Sequence, residues 1–224
     1  MTWECRNGIY IKDGNYLEPI QPNRVTNDSY AVADALLGHK LEDYRRRRPL
    51  LLPLGRGGFE VFLSISGTLR SALVTPGYCE DVDYVPIKIS RYTKGKINAE
   101  GELRLDETDI EQAARALEGH EEGIIIDDIA DKCRSIRRVL DRLPTRGKNI
   151  VIATPYTKPE AAQERLDHPH YFLTPFVSRE IDDAVYPPWV VFHWERDEHD
   201  AELWRRLFPE LYQISQVFQE AGVA

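Results

Sequence analysis

Two adjacent carboxylates, Asp127 and Asp128, follow a short apolar run at residues 123–126. The run is rich in β-branched residues and too short for a helix, which predicts a buried strand. Apolar residues recur at helical spacing from Ser135 onward, which predicts a helix after a polar connection. Ligands bind at the carboxyl ends of strands in open α/β sheets. Paired carboxylates suit vicinal hydroxyls or Mg²⁺, and a helix start suits phosphate. A sugar phosphate would supply both the hydroxyls for the carboxylates and the phosphate for the helix start.

This stretch resembles the motif of type I phosphoribosyltransferases that binds phosphoribosyl pyrophosphate (PRPP). In that motif an apolar strand, an acidic pair and an Asp-Thr-Gly-x-Thr-like loop lead into a helix. The matching residues are Asp127, Asp128, Asp131 and Ser135. Lys132 and Cys133 depart from the motif, because most members of the family carry Thr and Gly there.

The resemblance implies a role for each part of the motif. Asp127 and Asp128 would bind the ribose hydroxyls, directly or through Mg²⁺. The backbone from Lys132 to Ser135, with the Ser135 hydroxyl, would hold the 5′-phosphate. The loop residues are Asp131, Lys132, Cys133, Arg134 and Ser135.

A glycine-rich segment, Gly55-Arg56-Gly57-Gly58, follows the predicted strand at residues 50–54. It offers flexible backbone, N–H groups and one cation, which suits an anion. Its position, one strand unit before the acidic pair, resembles the pyrophosphate loop of the 6-oxopurine phosphoribosyltransferases. That resemblance implies that Arg56 and Gly57 hold the pyrophosphate, and that a cis peptide bond joins Gly55 to Arg56.

A polar stretch follows the predicted strand at residues 84–90, contains two glycines and lacks apolar periodicity. Such a stretch is typical of a long mobile loop or a loose hairpin. It corresponds to the flexible loop of the family, which would shield an oxocarbenium-like sugar from water. The matched positions are Ser90, Arg91 and Tyr92.

Two further segments resemble the base-binding parts of the family. Lys158 follows a predicted strand at residues 149–153 and matches the lysine that reads the 6-oxo group of a purine. A single ammonium donor discriminates an oxo acceptor from an amino donor. The ending WVVFHWE resembles the Trp-x-x-x-Pro-Trp-acid ending of bacterial xanthine-guanine and fungal hypoxanthine-guanine enzymes. Trp189 would then stack on the purine, the backbone around Val190 would bind its edge, and Glu195 would lie near the metal.

Charge and composition argue against several kinds of partner. The formal net charge of −8 gives no support for nucleic acid or an anionic membrane as a partner. The basic run at residues 45–48 suits a helix C-terminus better than a nucleic-acid patch. No apolar stretch approaches the roughly 20 residues of a membrane span. Three scattered cysteines without CxxC spacing predict reduced thiols, and therefore a cytoplasmic protein.

Strands that alternate with helices predict an α/β fold with a mostly parallel open sheet flanked by helices. The resemblance adds a small hood and a mobile loop. We expect an N-terminal hairpin or hood extension at residues 1–24, a phosphoribosyltransferase domain at 25–195 and a C-terminal helical tail at 196–224. A homodimer or higher homo-oligomer is also expected.

The resemblance implies a Mg²⁺-dependent enzyme of purine salvage, which converts hypoxanthine, guanine or xanthine and PRPP to the nucleoside 5′-monophosphate and pyrophosphate. Asp131 would be the acid or base at a purine ring nitrogen. A non-catalytic regulator that binds PRPP or a nucleotide is the alternative, favoured by the altered loop at Lys132 and Cys133. Asp131, Lys158 and Trp189 favour the enzyme, because a PRPP sensor needs no base-reading residues. A third option is another base, although adenine enzymes lack a residue like Lys158.

Overall fold

The computed structural model describes residues 4–6, 9–12, 15–73, 82–90, 92–93, 96–97, 103–158, 174–180, 189–193, 201–211 and 213. The chain divides into two compact units, one of residues 1–24 with 183–224 and one of residues 25–182. The larger unit contains the acidic pair and the glycine-rich segment.

The elements follow one another as short strands and longer helices. The strands are β1 Glu4–Arg6, β2 Ile9–Lys12, β3 Asn15–Ile20, β4 Leu50–Pro53, β5 Ile89–Ser90, β6 Tyr92–Thr93, β7 Lys96–Ile97, β8 Arg104–Leu105, β9 Glu122–Ile126, β10 Ile129–Ala130, β11 Asn149–Thr157, β12 Thr174–Glu180 and β13 Trp189–Phe192. The helices are α1 Pro22–Arg47, α2 Gly55–Leu73, α3 Glu107–Glu118, α4 Arg134–Leu140 and α5 Ala201–Leu207.

The larger unit is built on a parallel sheet, as predicted. β4 pairs with β9, β9 with β11, and β11 with β12, and each pair is parallel. β10 pairs with the end of β11 and continues the line of β9 along the same side of that strand. Beyond β4, residues 82–87 add an edge through parallel bridges at Tyr84 and Ile87 rather than the continuous strand predicted. Val85 and Ile87 donate to the carbonyls of Leu51 and Pro53, but Pro53 has no N–H group to donate back to the Val85 carbonyl, which explains the broken ladder.

The two faces of this sheet bury alternate residues of the same strands, as a pleated strand requires. One face packs against α1 and α2 through Leu51, Ile124, Ile126, Val151 and Ala153. The opposite face packs against α3 and α4 through Leu50, Leu52, Ile125, Ile150 and Ile152. Burial of each leucine, isoleucine or valine among them contributes about 1.5–3 kcal/mol. A sheet covered on both faces explains why the strands read as continuous apolar runs.

The sequence predicts a helix capped by Asn27 or Asp28, a second from Phe59 and a third with its cap at Thr108 or Asp109, and all three helices begin earlier in the structure. α1 was expected from Asn27 or Asp28 but begins at Pro22, where a proline suits the first helical position. α2 was expected from Phe59 but begins at Gly55, because the Gly58 N–H donates to the Leu54 carbonyl at 3.0 Å and closes a first turn. The third, α3, has Asp106 as its N-cap, ahead of the predicted caps at residues 108 and 109.

The smaller unit contains a four-stranded sheet in the order β1-β2-β3-β13. The first three strands are antiparallel neighbours, and β13 pairs in parallel with β3. Its α5 helix and Phe208 form an apolar cluster of Leu203, Trp204, Leu207 and Phe208. The predicted division placed residues 189–193 with the central domain, whereas the structure groups β13 with the chain termini. Among the described residues, no helix has the length and apolar character that a membrane crossing needs.

Two glycines of α2 have opposite surroundings and give a test of the packing. A Cβ on Gly58 would lie 2.2 Å from the Ile126 carbonyl oxygen, whereas nothing lies within 4 Å of one on Gly67. We expect Gly58→Ala to lower the free energy of unfolding by about 1–3 kcal/mol, because the β9 backbone must shift. Gly67→Ala should raise it by about 0.5–1 kcal/mol, because alanine is the better helix former. Urea unfolding followed by circular dichroism measures both, and equal effects would contradict the close approach of α2 to β9.

Candidate active site

The parallel pairing brings three polar segments to one edge of the sheet. β4, β9 and β11 are parallel neighbours, so the segments that follow them begin at the same edge. The glycine-rich segment follows β4, and Asp127 and Asp128 follow β9. Asp131 follows β10, and Lys158 follows β11. This carboxyl edge is where open α/β sheets bind their ligands.

The start of α2 lies directly against the acidic pair. The Leu54 N–H donates to the Ile126 carbonyl at 2.8 Å, which joins the ends of β4 and β9. A Cβ on Gly57 would lie 2.0 Å from Asp128 Oδ2, so a larger residue has no room there. Arg56 lies beside this contact and is exposed. The two segments that were predicted to bind pyrophosphate and ribose are therefore in contact.

The backbone of the glycine-rich segment differs from one expectation. The resemblance implied a cis peptide bond between Gly55 and Arg56, but the described residues contain no cis peptide bond, so that expectation is wrong. Gly55 instead has a φ of +57°, a left-handed conformation that favours glycine. Its N–H donates to the Ile87 carbonyl at 2.8 Å, which ties the segment to the edge of the sheet.

The acidic pair separates β9 from β10 and is held by backbone groups. The Asp127 N–H donates to the Ala153 carbonyl at 3.2 Å, which keeps the chain beside β11. Asp127 Oδ1 accepts from the Asp128 N–H at 3.0 Å, and Asp128 Oδ1 accepts from the Ile129 N–H at 2.8 Å. Both residues are half-buried. Because a carboxylate accepts several hydrogen bonds, these contacts orient the pair without exhausting its capacity.

The loop from Asp131 to α4 contains a left-handed residue where the family carries glycine. Cys133 has φ 51° and ψ 17°, and it is the N-cap of α4 without a side-chain capping hydrogen bond. The structure thus retains at Cys133 the kind of backbone conformation that glycine adopts most readily. Ser135, which was predicted to begin the helix, is its second residue and is half-buried.

Cations surround the start of α4. Lys132 and Arg134 are both exposed, and the first turn of the helix contains no acidic residue. Positive charges are unfavourable at a helix N-terminus, where the backbone dipole already presents a partial positive charge. An anion bound at this loop would offset both contributions.

Asp131 and Lys158 form an ion pair at the same edge. Ala130 pairs with Thr157 in the β10–β11 ladder, so Asp131 and Lys158 are the next residues in register. The Lys158 N–H donates to the Ala130 carbonyl at 3.0 Å, and Lys158 Nζ lies 3.6 Å from Asp131 Oδ1. The Lys158 side chain is 13% exposed and that of Asp131 34%. The strand was predicted to end at residue 153, but β11 continues to Thr157, and Lys158 therefore lies beside the carboxylate.

Other predicted site residues belong to other strands or lie outside the described residues. Ser90 ends β5, which pairs with β8, and Tyr92 begins β6, which pairs with β7. The predicted loop thus contains two short antiparallel pairs, while Arg91 lies outside the described residues. Trp189 and Val190 belong to β13 of the smaller unit, and Val190 is buried. Glu195 lies outside the described residues, so these purine and metal assignments stay predictions.

His193 occupies the position at which the resembled ending has proline. Its ring lies edge-on to Phe208 with the ring centroids 6.5 Å apart. Burial lowers the pKa of this imidazole below its usual value, because an apolar environment disfavours the charged form. The side chain therefore contributes to the packing of the smaller unit.

Sequence reasoning missed the residues that hold the glycine-rich segment from outside. The Asp109 carboxylate accepts from the Lys88 N–H at 2.8 Å, next to the Ile87 carbonyl that binds Gly55. The sequence feature that could have indicated these residues was the spacing of Asp106 and Asp109, which is that of a capping box.

Comparison with known proteins gives similarity in structure alone. No protein-family model and no curated protein matches this chain. The chain is similar to the purine phosphoribosyltransferase from Pyrococcus horikoshii Ot3, at 17% identity and a TM-score of 0.46 over 80% of this chain and 93% of that one. It is similar to the xanthine-guanine-hypoxanthine phosphoribosyltransferase of Helicobacter pylori, at 17% identity and a TM-score of 0.48 over 81% and 95%.

A third similar structure is the orotate phosphoribosyltransferase from Aeropyrum pernix, at 17% identity and a TM-score of 0.40 over 70% of this chain and 77% of that one. At such values, function has to be inferred from the residues of this chain.

Substitution of Cys133 tests the left-handed backbone of the loop. Glycine adopts this conformation without steric cost, whereas a β-branched residue is strained there. We expect Cys133→Val to be less stable than Cys133→Gly by about 1–2 kcal/mol. Urea unfolding of both variants beside the unaltered protein measures the difference. A valine variant as stable as the glycine variant would show that Cys133 is not held in this conformation.

Proposed function

We propose that this protein is a phosphoribosyltransferase that takes PRPP as its sugar donor. Within that class, we propose that the acceptor is a 6-oxopurine, namely hypoxanthine, guanine or xanthine. The products are then the nucleoside 5′-monophosphate and pyrophosphate, which corresponds to a role in purine salvage. The observation that carries the proposal is the meeting of the glycine-rich segment, the acidic pair and the Asp131–Lys158 pair at one edge of the sheet.

Each part of PRPP has a chemically suitable partner at this edge. Asp127 and Asp128 accept hydrogen bonds and suit the vicinal hydroxyls of the ribose. The N-terminal turn of α2, with Arg56, suits the pyrophosphate. The start of α4, with Lys132 and Arg134, suits the 5′-phosphate, because its charges otherwise oppose the helix dipole. Catalysis would consist mainly of positioning and electrostatic stabilisation of the departing pyrophosphate.

Mg²⁺ fits the donor set of this edge. Asp127 and Asp128 supply hard oxygen ligands, and the described residues contain no cluster of three or more metal-ligating side chains. Mg²⁺ is commonly held in this way, by one or two carboxylates together with substrate phosphates and water. When bound, it would neutralise charge on the pyrophosphate oxygens.

The Asp131–Lys158 pair supports the proposed choice of a 6-oxopurine as the acceptor. A purine ring nitrogen attacks C1′ of the ribose, the bond from C1′ to the pyrophosphate oxygen breaks, and the ring gives up a proton. Asp131 would accept that proton as the general base. The Lys158 ammonium would donate to the 6-oxo group. An amino group at this position would place two donors against each other, which disfavours adenine.

The regulator alternative has one observation in its favour, the substitution of the family Thr-Gly by Lys132 and Cys133. The left-handed conformation of Cys133 argues that the substitution preserves the loop backbone. The ion pair of Asp131 with Lys158 also supports an enzyme, because binding of PRPP alone would not need it.

A substrate panel tests the proposed reaction. We expect pyrophosphate release from PRPP and Mg²⁺ with at least one of hypoxanthine, guanine and xanthine, and none with adenine. Release is measured by a coupled phosphate assay, with PRPP binding measured in parallel by calorimetry. PRPP binding without turnover would favour the regulator. Absence of both would refute the assignment of the edge as a phosphoribosyl site.

The role of Asp131 is tested by Asp131→Asn. We expect turnover to fall by on the order of 10²-fold or more, because the amide cannot accept the proton. PRPP affinity should change little. Asp141→Asn is the matched control, because Asp141 is an exposed carboxylate at the opposite end of α4. Full turnover of the Asp131 variant would rule out its role as the base.

A further inference from the structure

The start of α3 closes the outer edge of the sheet by binding both backbone groups of Lys88. The Lys88 N–H donates to Asp109 Oδ2 at 2.8 Å, and the Lys88 carbonyl accepts from the Asp106 N–H at 3.2 Å. Asp106 is also the N-cap of α3, where its Oδ1 accepts from the N–H groups of residues 108 and 109. A helix start therefore takes the place of a neighbouring strand beside Lys88.

The peptide group between Ile87 and Lys88 links Asp109 to the glycine-rich segment. The carbonyl of this group, on Ile87, accepts from the Gly55 N–H at 2.8 Å, while its N–H, on Lys88, donates to Asp109. A peptide group is planar, so fixing its N–H also fixes the direction of its carbonyl. A carboxylate on the N–H also polarises the group and strengthens the carbonyl as an acceptor. Asp109 and Gly55 are thus coupled through one rigid plane.

The direction of the Asp109 side chain is not explained by helix capping alone. In a capping box, a residue at this position would accept from the backbone N–H of the N-cap, here Asp106. The Asp106 N–H is instead bound to the Lys88 carbonyl, and the Asp109 carboxylate is directed at the Lys88 N–H. Glu107, in the same turn, pairs with Arg142. Of these two acids, Asp109 is the one bonded to the backbone of the sheet edge.

We propose that Asp109 is a positioning residue for the pyrophosphate end of the site. It fixes the Ile87–Lys88 peptide group, and this group holds Gly55 in the conformation from which Arg56 and Gly57 meet the pyrophosphate. The inference rests on the proposed function, because it concerns the same site. In this proposal Asp109 does not contact the substrate. Loss of the Asp109 carboxylate should therefore weaken binding of the pyrophosphate group specifically.

Calorimetry with two probes tests this assignment on the full chain. PRPP with Mg²⁺ carries the pyrophosphate, and ribose 5-phosphate lacks it. We expect Asp109→Ala to weaken PRPP binding by roughly 10-fold, the size of one lost hydrogen bond to a charged group. Ribose 5-phosphate binding should stay within about two-fold. Asp109→Asn should bind PRPP nearly as the unaltered protein does, because its amide oxygen still accepts from Lys88.

The matched control is Glu107→Ala, which removes an acid and its ion pair from the same turn of α3 without touching Lys88. Urea midpoints are recorded for every variant. If Asp109→Ala does not fold, Asp109→Ser takes its place, since its shorter side chain does not reach the Lys88 N–H.

Three results would overturn the assignment: unchanged PRPP binding by the alanine or serine variant, an equal loss of ribose 5-phosphate binding, or an equal loss in Glu107→Ala. Failure of the unaltered protein to bind PRPP would instead refute the proposed function itself.

Discussion

The close approach of α2 to the end of β9 is the contact on which the rest of the site depends. It requires two successive residues without side chains, because a Cβ on Gly57 or Gly58 would overlap Asp128 or Ile126. The approach joins a helix N-terminus to a pair of carboxylates, groups that suit opposite charges and therefore different parts of one ligand. A molecule with hydroxyls beside an anionic group would suit both the carboxylates and the helix N-terminus.

Several residues at the start of α4 oppose the intrinsic conformational or electrostatic preference of their positions. Cys133 holds a left-handed backbone, which costs a residue with a Cβ about 1–2 kcal/mol. Lys132 and Arg134 place positive charge at a helix start that has no acidic residue. Local conflicts of this kind concentrate at functional sites, where the surrounding structure compensates for them. Here the compensation comes from the buried face of α4, on which Ile136 and Val139 pack against the sheet.

The sequence predicted the parts of the fold that local pattern controls. The apolar run of β9 and the acidic pair after it were found because a strand buried on both faces is short and continuously apolar. The start of α2 was missed because glycine disfavours helices, whereas in the structure a tertiary contact with β9 overrides this preference. The end of β11 was missed because Pro155 suggests a turn. The strand nevertheless continues, with Thr154 and Tyr156 in register with β12 on either side of the proline.

The pairing of Asp131 with Lys158 depends on long-range strand register, which local sequence pattern does not predict. Asp131 and Lys158 were each predicted from their own segments, but their pairing depends on β10 lying in parallel beside the end of β11. That ladder resumes the β9–β11 pairing after the acidic pair and keeps the same register, because Ile126 lies opposite Ala153 and Ile129 lies opposite Tyr156. The interruption takes residues 127 and 128 out of the named strands, while the unchanged register places the Lys158 ammonium group beside Asp131.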